Sequence, residues 1–228
     1  MRLLLVGHGR MGRLVETLAP EHGWTIAGAV DRRSGPRAIA DSDFGPIDMA
    51  VDFSVADAVP HNLPQLAARG ISVVLGTTGW HAHEAALRTE VERAGIGVLA
   101  AANFSLGANL FQLIVEEAAR RFAPQDDYGA WINELHHAAK KDAPSGTALQ
   151  LRTAMTTAGY ARPIDMSSTR AGFIPGTHTV GFDGPSDAVI LTHTVRDRAV
   201  FARGALAAAA WLRGRTGWFT LRDMLTIS

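Results

Sequence analysis

The sequence predicts a doubly wound parallel α/β domain joined to a smaller, mixed α+β domain. Three observations lead to this prediction. Short apolar runs alternate with helical stretches up to about residue 104. The first of these runs leads directly into a glycine-rich turn. After residue 105, the alternation gives way to a long helix, a further strand and a hairpin pattern.

The amino-acid composition and charge exclude several classes of protein and site. The chain has 228 residues, of which 47% are hydrophobic, and it carries 22 basic and 22 acidic side chains. A balanced charge does not favour binding to nucleic acid or to an anionic membrane. The absence of cysteine excludes disulfides, thiolate zinc sites and cysteine nucleophiles. The N-terminal apolar run is too short for a signal peptide or a membrane span, so a cytoplasmic protein is expected.

The N-terminal run Arg2–Val6 is typical of a buried parallel strand. It leads into the G-x-G-x-x-G turn Gly7-His8-Gly9-Arg10-Met11-Gly12, a predicted helix over 14–22 and a predicted strand over 24–30 that ends at Asp31. In such a unit the glycines allow a tight turn, close approach of a pyrophosphate and close helix packing. The acid about 20 residues later accepts hydrogen bonds from ribose hydroxyls. The pattern predicts a Rossmann-like dinucleotide-binding domain.

The alternation continues with strands over 47–53, 71–75 and 96–101 and helices over 55–68 and 83–94. Pro60 and Pro64 are expected to kink or split the first of these helices. Ligands of parallel sheets bind beyond the carboxyl ends of the strands. The residues at those ends are therefore candidate cofactor contacts: Asp52, Phe53, Gly76, Thr77, Thr78, Ala101, Ala102, Asn103 and Phe104.

The second domain opens with a predicted helix over 106–122. Its predicted core face consists of Leu110, Leu113, Ile114 and Ala118. Strands over 178–182 and 187–194 form a predicted hairpin in an open sheet. The edges of that sheet need covering, and pairing with another subunit is one solution. Helices over 201–211 and 220–225 close the chain. No metal site is expected: there is no H-E-x-x-H, and His81-Ala-His83 lies in a predicted surface loop or helix start.

The most informative run is Glu134-Leu-His-His-Ala-Ala-Lys-Lys-Asp-Ala-Pro-Ser-Gly-Thr-Ala148. A strand over 128–135 is predicted to deliver His136, His137 and Lys140 to a loop. Ser145-Gly146-Thr147 then opens a helix that extends to 158. Unpaired N–H groups at a helix start, facing cationic side chains, favour a small acidic substrate with proton donors beside it. The alternative is structural, with a solvated lysine and an ordinary helix cap.

This run resembles the signature of the 4-hydroxy-tetrahydrodipicolinate reductase family, also called dihydrodipicolinate reductases. The resemblance spans essentially the whole chain. Its other matching motifs are Gly9-Arg-Met-Gly12, Gly76-Thr-Thr-Gly79, Ala102-Asn-Phe-Ser105 with Gly107 and Asn109, Arg170-x-Gly, Pro175-Gly-Thr-His178, His193, Arg198, Phe201 and Gly204-Ala205.

The resemblance implies reduction of 4-hydroxy-tetrahydrodipicolinate by NADH or NADPH in diaminopimelate and lysine biosynthesis. It implies a dinucleotide-binding domain of residues 1–104 with 198–228, and a substrate-binding and oligomerisation domain of 105–197 that builds a homotetramer. His136 and Lys140 would be the catalytic pair, with Lys140 the proton donor. The implied substrate contacts are His137, Lys140, Ser145, Gly146 and Thr147. The implied cofactor contacts are Gly7, His8, Gly9, Arg10, Met11, Gly76, Thr77, Thr78, Ala101, Ala102, Asn103 and Phe104.

The chain departs from the family pattern in a glycine turn one residue shorter than is common and in a short span from Asp31 to Asp52, where a helix is expected to be reduced to a turn. Ala138 and Ala139 replace bulkier residues. Two alternatives stay open: a non-catalytic NAD(P)-binding regulatory protein on the same fold, and a related two-domain dehydrogenase of another small acid, such as aspartate or a sugar acid.

Neighbouring residues favour different cofactors. Asp31 favours the ribose diol of NADH and repels a 2′-phosphate, whereas Arg32 and Arg33 can bind that phosphate. The sequence therefore predicts use of both cofactors, with NADH at least as good as NADPH.

Overall fold

The computed structural model describes residues 1–35 and 38–226. It divides into two compact units: the first unit is Met1–Leu106 with Ala199–Ser228, and the second unit is Gly107–Arg198. The boundaries predicted from the sequence were 104/105 and 197/198, and the predicted range 198–228 includes 227 and 228, which lie outside the described residues. Among the described residues, no helix has the length and apolar character needed to cross a membrane.

Ten strands occur in the described chain: β1 (Arg2–Val6), β2 (Thr25–Val30), β3 (Met49–Asp52), β4 (Val73–Leu75), β5 (Gly97–Ala100), β6 (Gly129–His136), β7 (Ile164–Arg170), β8 (Thr177–Asp183), β9 (Ala188–Thr194) and β10 (Gly217–Phe219). The α-helices there are α1 (Arg10–Leu18), α2 (Ala38–Asp41), α3 (Val59–Ala68), α4 (Glu84–Ala94), α5 (Leu106–Phe122), α6 (Gly146–Thr157), α7 (Ala199–Leu212) and α8 (Leu221–Thr226). Short 3₁₀ helices cover Ala19–His22, Ala56–Ala58 and His81–His83.

The first unit is built on a six-stranded sheet in the order β10-β5-β4-β3-β1-β2. Every pairing is parallel. One face is covered by a core that includes Val15 of α1 and Leu206 of α7, and the other by a core that includes Leu63 of α3 and Leu87 of α4. The predicted doubly wound, Rossmann-like class is confirmed. The order of the strands reverses between β1 and β3, which is where ligands of such sheets bind.

Several elements of the first unit differ from the predicted bounds. Helix α1 begins at Arg10 rather than at residue 14, and residues 19–22 continue it as a 3₁₀ turn. The predicted helix over 55–68 is split, with a 3₁₀ turn before α3; Pro60 lies in the first turn of α3, where its missing N–H is harmless, and Pro64 lies inside it. Between β2 and β3 the sequence predicts a turn in place of a helix, and the described residues there include the four-residue helix α2. Strand β10 was not predicted.

The second unit has a four-stranded mixed sheet in the order β7-β6-β8-β9. Strand β6 pairs parallel with β7 and antiparallel with β8, and β8 and β9 form the predicted hairpin. Residues of α5, α6 and the sheet share one core, which includes Phe111, Leu151, Ile132 and Phe182. The polar strand β7 was not predicted.

The predicted core face of α5 is wrong for Leu110 and Ile114, whereas Ala118 packs against the core as predicted. The residues that are buried are Ala108, Phe111, Val115 and Ala119. Leu110 and Ile114, which were expected in the core, are 43% and 54% exposed. Both sets recur at the spacing of one helix face, so the helix carries two apolar stripes, and only the one with the aromatic ring packs on the sheet.

Candidate active site

Each glycine in the glycine turn of the first unit is explained by a different structural feature. Gly7 has φ of +90°, and a Cβ there would lie 2.4 Å from the carbonyl oxygen of Phe53. A Cβ on Gly12 would lie 2.2 Å from the carbonyl oxygen of Gly7, so α1 packs directly on the turn. Gly9 caps α1 without a side-chain hydrogen bond, and no atom lies within 4 Å of its Cβ position. The turn therefore leaves open space over the N–H groups of a helix start, which suits a pyrophosphate.

A cavity of about 670 Å³ lies beside this turn, at the ends of β1, β2 and β3. Asp31, Arg32 and Arg33 line it, and so do Gly7, His8 and Gly9. The Asp31 carboxylate accepts a hydrogen bond from the Arg33 N–H at 2.8 Å, which holds the turn that carries both arginines. His8 Nε2 lies 2.7 Å from Glu16. The size and the acid-and-arginine lining suit the adenosine half of a dinucleotide.

A second cavity, of about 440 Å³, is lined by five of the other predicted cofactor residues. Arg10 and Met11 face it from the start of α1, and Gly76, Thr77 and Thr78 from the end of β4. A side chain on Gly76 would strike the Phe53 ring at 2.1 Å. Glycine at this position therefore lets the loop after β4 lie close to the Phe53 ring, which follows β3.

Asp52 holds these loops in place, a role that the sequence did not reveal. Its carboxylate is 1% exposed and accepts hydrogen bonds from the Ser54 N–H and the Thr77 hydroxyl, each at 2.8 Å. Burial raises the pKa of Asp52, and the hydrogen bonds from Ser54, Thr77 and Asn62 oppose that rise. Asp52 thus joins the end of β3 to the loop after β4.

The remaining predicted cofactor residues follow β5. Ala101 and Ala102 line a small cavity of about 160 Å³, which Thr77 and Thr78 also line. The Asn103 side-chain oxygen accepts a hydrogen bond from the Ser105 N–H at 2.9 Å. Phe104 is only 2% exposed and packs edge-on against Phe53, so its side chain belongs to the core. The Phe104 backbone is also packed, because a Cβ on Gly204 of α7 would lie only 1.7 Å from the Phe104 carbonyl oxygen.

In the second unit, strand β6 ends at His136, whose ring is buried against Glu134. The two residues lie on the same face of the strand because they are two positions apart. His136 Nδ1 is hydrogen-bonded to Oε2 of Glu134. Burial lowers the pKa of His136, and the Glu134 carboxylate acts in the opposite direction without reversing that effect.

Glu134 is completely buried, and its other oxygen, Oε1, accepts further hydrogen bonds. The donors are Nη2 of Arg170 at 2.6 Å and the Ser145 N–H at 3.3 Å. Burial alone would raise the pKa of Glu134, but hydrogen bonds from Arg170, Ser168 and His136 lower it to about 2. Glu134 is therefore a carboxylate at any physiological pH, and it connects β6, β7 and the start of α6.

The loop after β6 holds the predicted proton donor. The Lys140 N–H donates to the carbonyl of His137 at 3.1 Å, which closes a turn over Ala138 and Ala139. Lys140 Nζ lies 2.8 Å from both carboxylate oxygens of Asp142. The His137 ring is half-buried. The structure thus brings His136, His137 and Lys140 into one strand-to-loop exit, as predicted, and adds Asp142 as the partner of the lysine.

Helix α6 begins as the sequence predicts, with Ser145 as its N-cap. The Ser145 hydroxyl oxygen accepts a hydrogen bond from the Ala148 N–H at 3.3 Å. The N–H groups of Gly146 and Thr147 lie in the first turn and have no carbonyl partner within the helix. Unpaired N–H groups of this kind can accept an anion, and this helix start follows directly after the lysine loop.

His178 of β8 completes the buried polar cluster, and the sequence assigned it no role. Its Nε2 lies 3.1 Å from the Ser145 hydroxyl, and the ring is 5% exposed. Burial lowers its pKa to about 4, so His178 is neutral. Its partners are set by the register in which β8 lies opposite Glu134, which no sequence pattern reveals.

Glu134, His136 and His178 carry ligand-type atoms that all lie within 4.8 Å of one another. This spacing alone would fit a metal ion. However, both Glu134 oxygens already accept hydrogen bonds, and one of the donors is the Arg170 guanidinium. A permanent cation in contact with the carboxylate opposes a second cation, so the cluster is better explained as an internally neutralised network.

Comparisons with known proteins identify the family. The family model described as dihydrodipicolinate reductase, N-terminus, matches residues 1–104, and that described as dihydrodipicolinate reductase, C-terminus, matches residues 107–225. The 4-hydroxy-tetrahydrodipicolinate reductase of Stenotrophomonas maltophilia is 39% identical over 99% of this chain and 98% of its own length. The enzyme of the same name from Christiangramia forsetii is 33% identical over the same shares.

The fold agrees with these matches. A solved structure of a dipicolinate-bound dihydrodipicolinate reductase from Paenisporosarcina sp. TG-14 aligns with a TM-score of 0.82, at 19% identity, over 96% of this chain and 97% of that one. The two family models together cover nearly every residue, with the N-terminal model on the first part of the chain and the C-terminal model on the rest. The protein belongs to the dihydrodipicolinate reductase family, an NAD(P)H-dependent group of oxidoreductases.

Proposed function

We propose that this protein reduces 4-hydroxy-tetrahydrodipicolinate to tetrahydrodipicolinate with NADH or NADPH, in diaminopimelate and lysine biosynthesis. The observation that carries this proposal is the run from Glu134 to Thr147. It folds into a strand end, a lysine loop and a helix start that together suit a small dicarboxylate. A non-catalytic dinucleotide-binding protein would have no need of this combination.

The reaction replaces a C–OH group of the substrate by C–H. One hydride and one proton are consumed, the hydroxyl leaves as water, and the nicotinamide is oxidised. When bound, the reduced nicotinamide supplies the hydride. The chain's own residues must bind and orient both partners, supply the proton and neutralise the two carboxylates.

The first unit supplies the cofactor site in this proposal. The cavity residues Asp31 and Arg32 would hold the adenosine ribose, and the open turn at Gly9 would admit the pyrophosphate. The residues at the ends of β4 and β5 would hold the nicotinamide half. The proposed cofactor contacts are Gly7, His8, Gly9, Arg10, Met11, Gly12, Asp31, Arg32, Gly76, Thr77, Thr78, Ala101, Ala102, Asn103 and Phe104.

The second unit supplies the substrate site. One substrate carboxylate would bind the N–H groups at the start of α6, with Ser145, Gly146 and Thr147 around it. His137 and Lys140 would neutralise the charge of the dicarboxylate. Lys140 would donate the proton from Nζ, with His136 as the second catalytic group. The Lys140–Asp142 pair is half-exposed, so a substrate carboxylate can replace Asp142 at little cost.

We further propose a homotetramer built through the open sheet of the second unit. Helices α5 and α6 cover one face, and the other carries cross-strand rows that include Trp131 with Ile190, and Thr179 with Thr192. Ile190 is 58% exposed in an edge strand, which favours burial against another copy. Sedimentation should give four times the 24.3 kDa chain mass, and Ile190→Asp should reduce it. A wild-type monomer would contradict the proposal.

A cytoplasmic location is part of the same proposal, since lysine-pathway intermediates and reduced nicotinamide are available there. The deciding experiment is a coupled assay. The preceding synthase generates the substrate, this protein is added, and absorbance of the reduced nicotinamide is followed. Oxidation that requires both the synthase product and this protein supports the function. Binding of NADH without turnover supports the regulatory alternative, and turnover of aspartate or a sugar acid in its place supports a related dehydrogenase.

A further inference from the structure

We propose that Glu134 is a positioning residue for His136: it holds the proton of the neutral ring on Nδ1 and leaves Nε2 as the ring nitrogen that meets the substrate. This inference rests on the proposed function and assigns a role to a residue outside the catalytic pair. It specifies the atom of His136 through which a proton enters or leaves.

The geometry fixes the carboxylate from three sides. Oε2 of Glu134 contacts His136 Nδ1, and Oε1 accepts from Arg170 Nη2 at 2.6 Å and from the Ser145 N–H at 3.3 Å. With donors from the end of β7 and from the start of α6, the Glu134 side chain has no freedom to rotate. A residue of this kind, completely buried and bonded to three elements, can set the orientation of a neighbouring ring.

The chemistry of the pair then fixes the tautomer. A carboxylate is only an acceptor, and a neutral imidazole carries one N–H. The Glu134–His136 hydrogen bond therefore requires the proton on Nδ1 whenever the ring is neutral. Nε2 then carries a lone pair. Any proton that His136 accepts or donates during the reaction must pass at Nε2.

The space beside Nε2 is kept open by a glycine. A Cβ on Gly176 would lie 3.1 Å from His136 Nε2, and Gly176 has φ of +149°, a conformation that other residues rarely adopt. The loop before β8 therefore approaches the ring without a side chain. The two nitrogens of His136 thus have different surroundings: the Glu134 carboxylate lies at Nδ1, and the backbone of Gly176, without a side chain, lies near Nε2.

The charged groups around His136 are Glu134 on β6, Arg170 at the end of β7 and Lys140 in the loop. The neutral His178 ring of β8 packs edge-on against His136, with ring centroids 5.1 Å apart. Lys140 is itself paired with Asp142. Arg170, Lys140 and burial all favour the neutral ring, and only Glu134 favours the imidazolium. Removing the charge of Glu134 should therefore make His136 harder to protonate.

The tautomer can be measured in the unmodified protein. Nitrogen-15 NMR of histidine-labelled protein near pH 7.5 should show His136, assigned through His136→Gln, neutral and with its proton on Nδ1. In Glu134→Gln, the amide can donate to Nδ1, so the proton should move to Nε2. A wild-type ring with its proton on Nε2 would overturn the proposal, whether or not Glu134→Gln folds.

Kinetics test whether the tautomer matters for turnover. Glu134→Gln should lower kcat by roughly 10²-fold or more, as should His136→Gln, and the double variant should be no worse than the poorer single one. The pH at which the His136-dependent limb of kcat falls should move downward in Glu134→Gln. NADH affinity should stay within about two-fold, because the first unit is untouched. Losses that multiply in the double variant would show a merely structural role.

Glu117→Gln is a matched control, since Glu117 is an exposed acid of the same unit that pairs with Arg120 and Arg121, and its kcat should equal that of wild type. The two proposals fail separately. A wild-type protein that does not turn over the synthase product sinks the proposed function, and the NMR measurement is still decisive for the tautomer. If wild type turns over normally and Glu134→Gln has the same kcat as wild type, only this inference is contradicted.

Discussion

Lys140 Nζ lies 2.8 Å from both carboxylate oxygens of Asp142, so the proposed proton donor already has an anionic partner in the structure. The hydrogen bond from Lys140 lowers the pKa of Asp142, which keeps that partner charged. Asp142 therefore occupies the position in which a substrate carboxylate would bind the lysine. A substrate carboxylate that binds Lys140 as proposed would compete with Asp142 for the ammonium group.

The first prediction concerns Lys140 itself. Replacing it by alanine should lower turnover by roughly 10²–10⁴-fold, because the reduced ring loses its proton donor and the substrate loses a cation. NADH binding, followed by fluorescence, should be near normal. The adjacent and exposed Lys141 is the control, and Lys141→Ala should be mild. The reverse order of effects would show that the loop register has been assigned incorrectly.

The second prediction concerns the competing carboxylate. Asp142→Asn removes the anion that binds Lys140 without changing the size of the side chain. The KM for the substrate should fall by about two- to five-fold, the range expected for an exposed ion pair, with little change in kcat. Asp126→Asn is the comparison, since Asp126 forms an exposed pair with Arg162 elsewhere in the second unit. A higher KM in Asp142→Asn would mean that Asp142 orients the lysine rather than competing for it.

A third prediction tests the helix start. Thr147→Val keeps the shape of the side chain and removes a hydroxyl donor beside the N–H groups of α6. Binding of pyridine-2,6-dicarboxylate should weaken by about 1.5–3 kcal/mol, the cost of a hydrogen bond to a charged group. Thr153 lies in the same helix, and its hydroxyl donates a hydrogen bond to the Leu149 carbonyl. Thr153→Val should therefore leave the inhibition constant unchanged. Equal constants for Thr147→Val and wild type would rule out a contact there.

Much of this arrangement could be predicted from local pattern. The glycine turn, the strand ends of the first unit and the Ser145 cap are each specified by a few consecutive residues. The face of α5 could not be predicted, because Leu110 and Ile114 have the same helical spacing as Phe111 and Val115, and only the facing sheet decides between them. Local pattern predicts an element, and its orientation needs the neighbouring element.

The Glu134 network was missed for a related reason. Its donors come from the end of β7, from β6 and from α6, and they meet only because Glu134 lies opposite Ser168 and His178 in the strand register. Strand β7 itself was missed because its sequence, Ile-Asp-Met-Ser-Ser-Thr-Arg, is mostly polar and exposed. Contacts between residues so distant in sequence depend on register, and register is a tertiary property.

A fourth prediction concerns cofactor choice. Asp31→Ala should shift preference toward NADPH, because it removes repulsion of the 2′-phosphate and an acceptor for the ribose diol. Replacing Arg32 and Arg33 together should weaken NADPH more than NADH. Asp43→Ala is the control, since Asp43 accepts a backbone N–H at 2.8 Å, as Asp31 does, but does not line the cavity. Fluorescence titration with both cofactors decides, and an unchanged ratio of affinities in Asp31→Ala would contradict this assignment.

The last prediction concerns acid stability. His178 is buried and neutral, with its pKa lowered from 6.5 to about 4. The unfolded chain therefore binds a proton more readily than the folded one. The contribution of His178 to the free energy of unfolding should be complete above about pH 6.5 and should decline as the pH falls toward 4. Below that pH, this residue should cause no further loss. The loss amounts to about 3 kcal/mol.

Urea unfolding followed by circular dichroism between pH 7.5 and 4 measures this slope. His178→Gln cannot take up the proton, so its free energy of unfolding should fall less steeply with acid than that of wild type, even if it is lower at pH 7.5. His83→Gln, at an exposed histidine, should keep the wild-type slope. Glu134 contributes its own loss between about pH 4.5 and 2 in every variant, since its pKa is lowered to about 2. Parallel curves for wild type and His178→Gln between pH 6.5 and 4 would show that His178 is not held neutral by the fold.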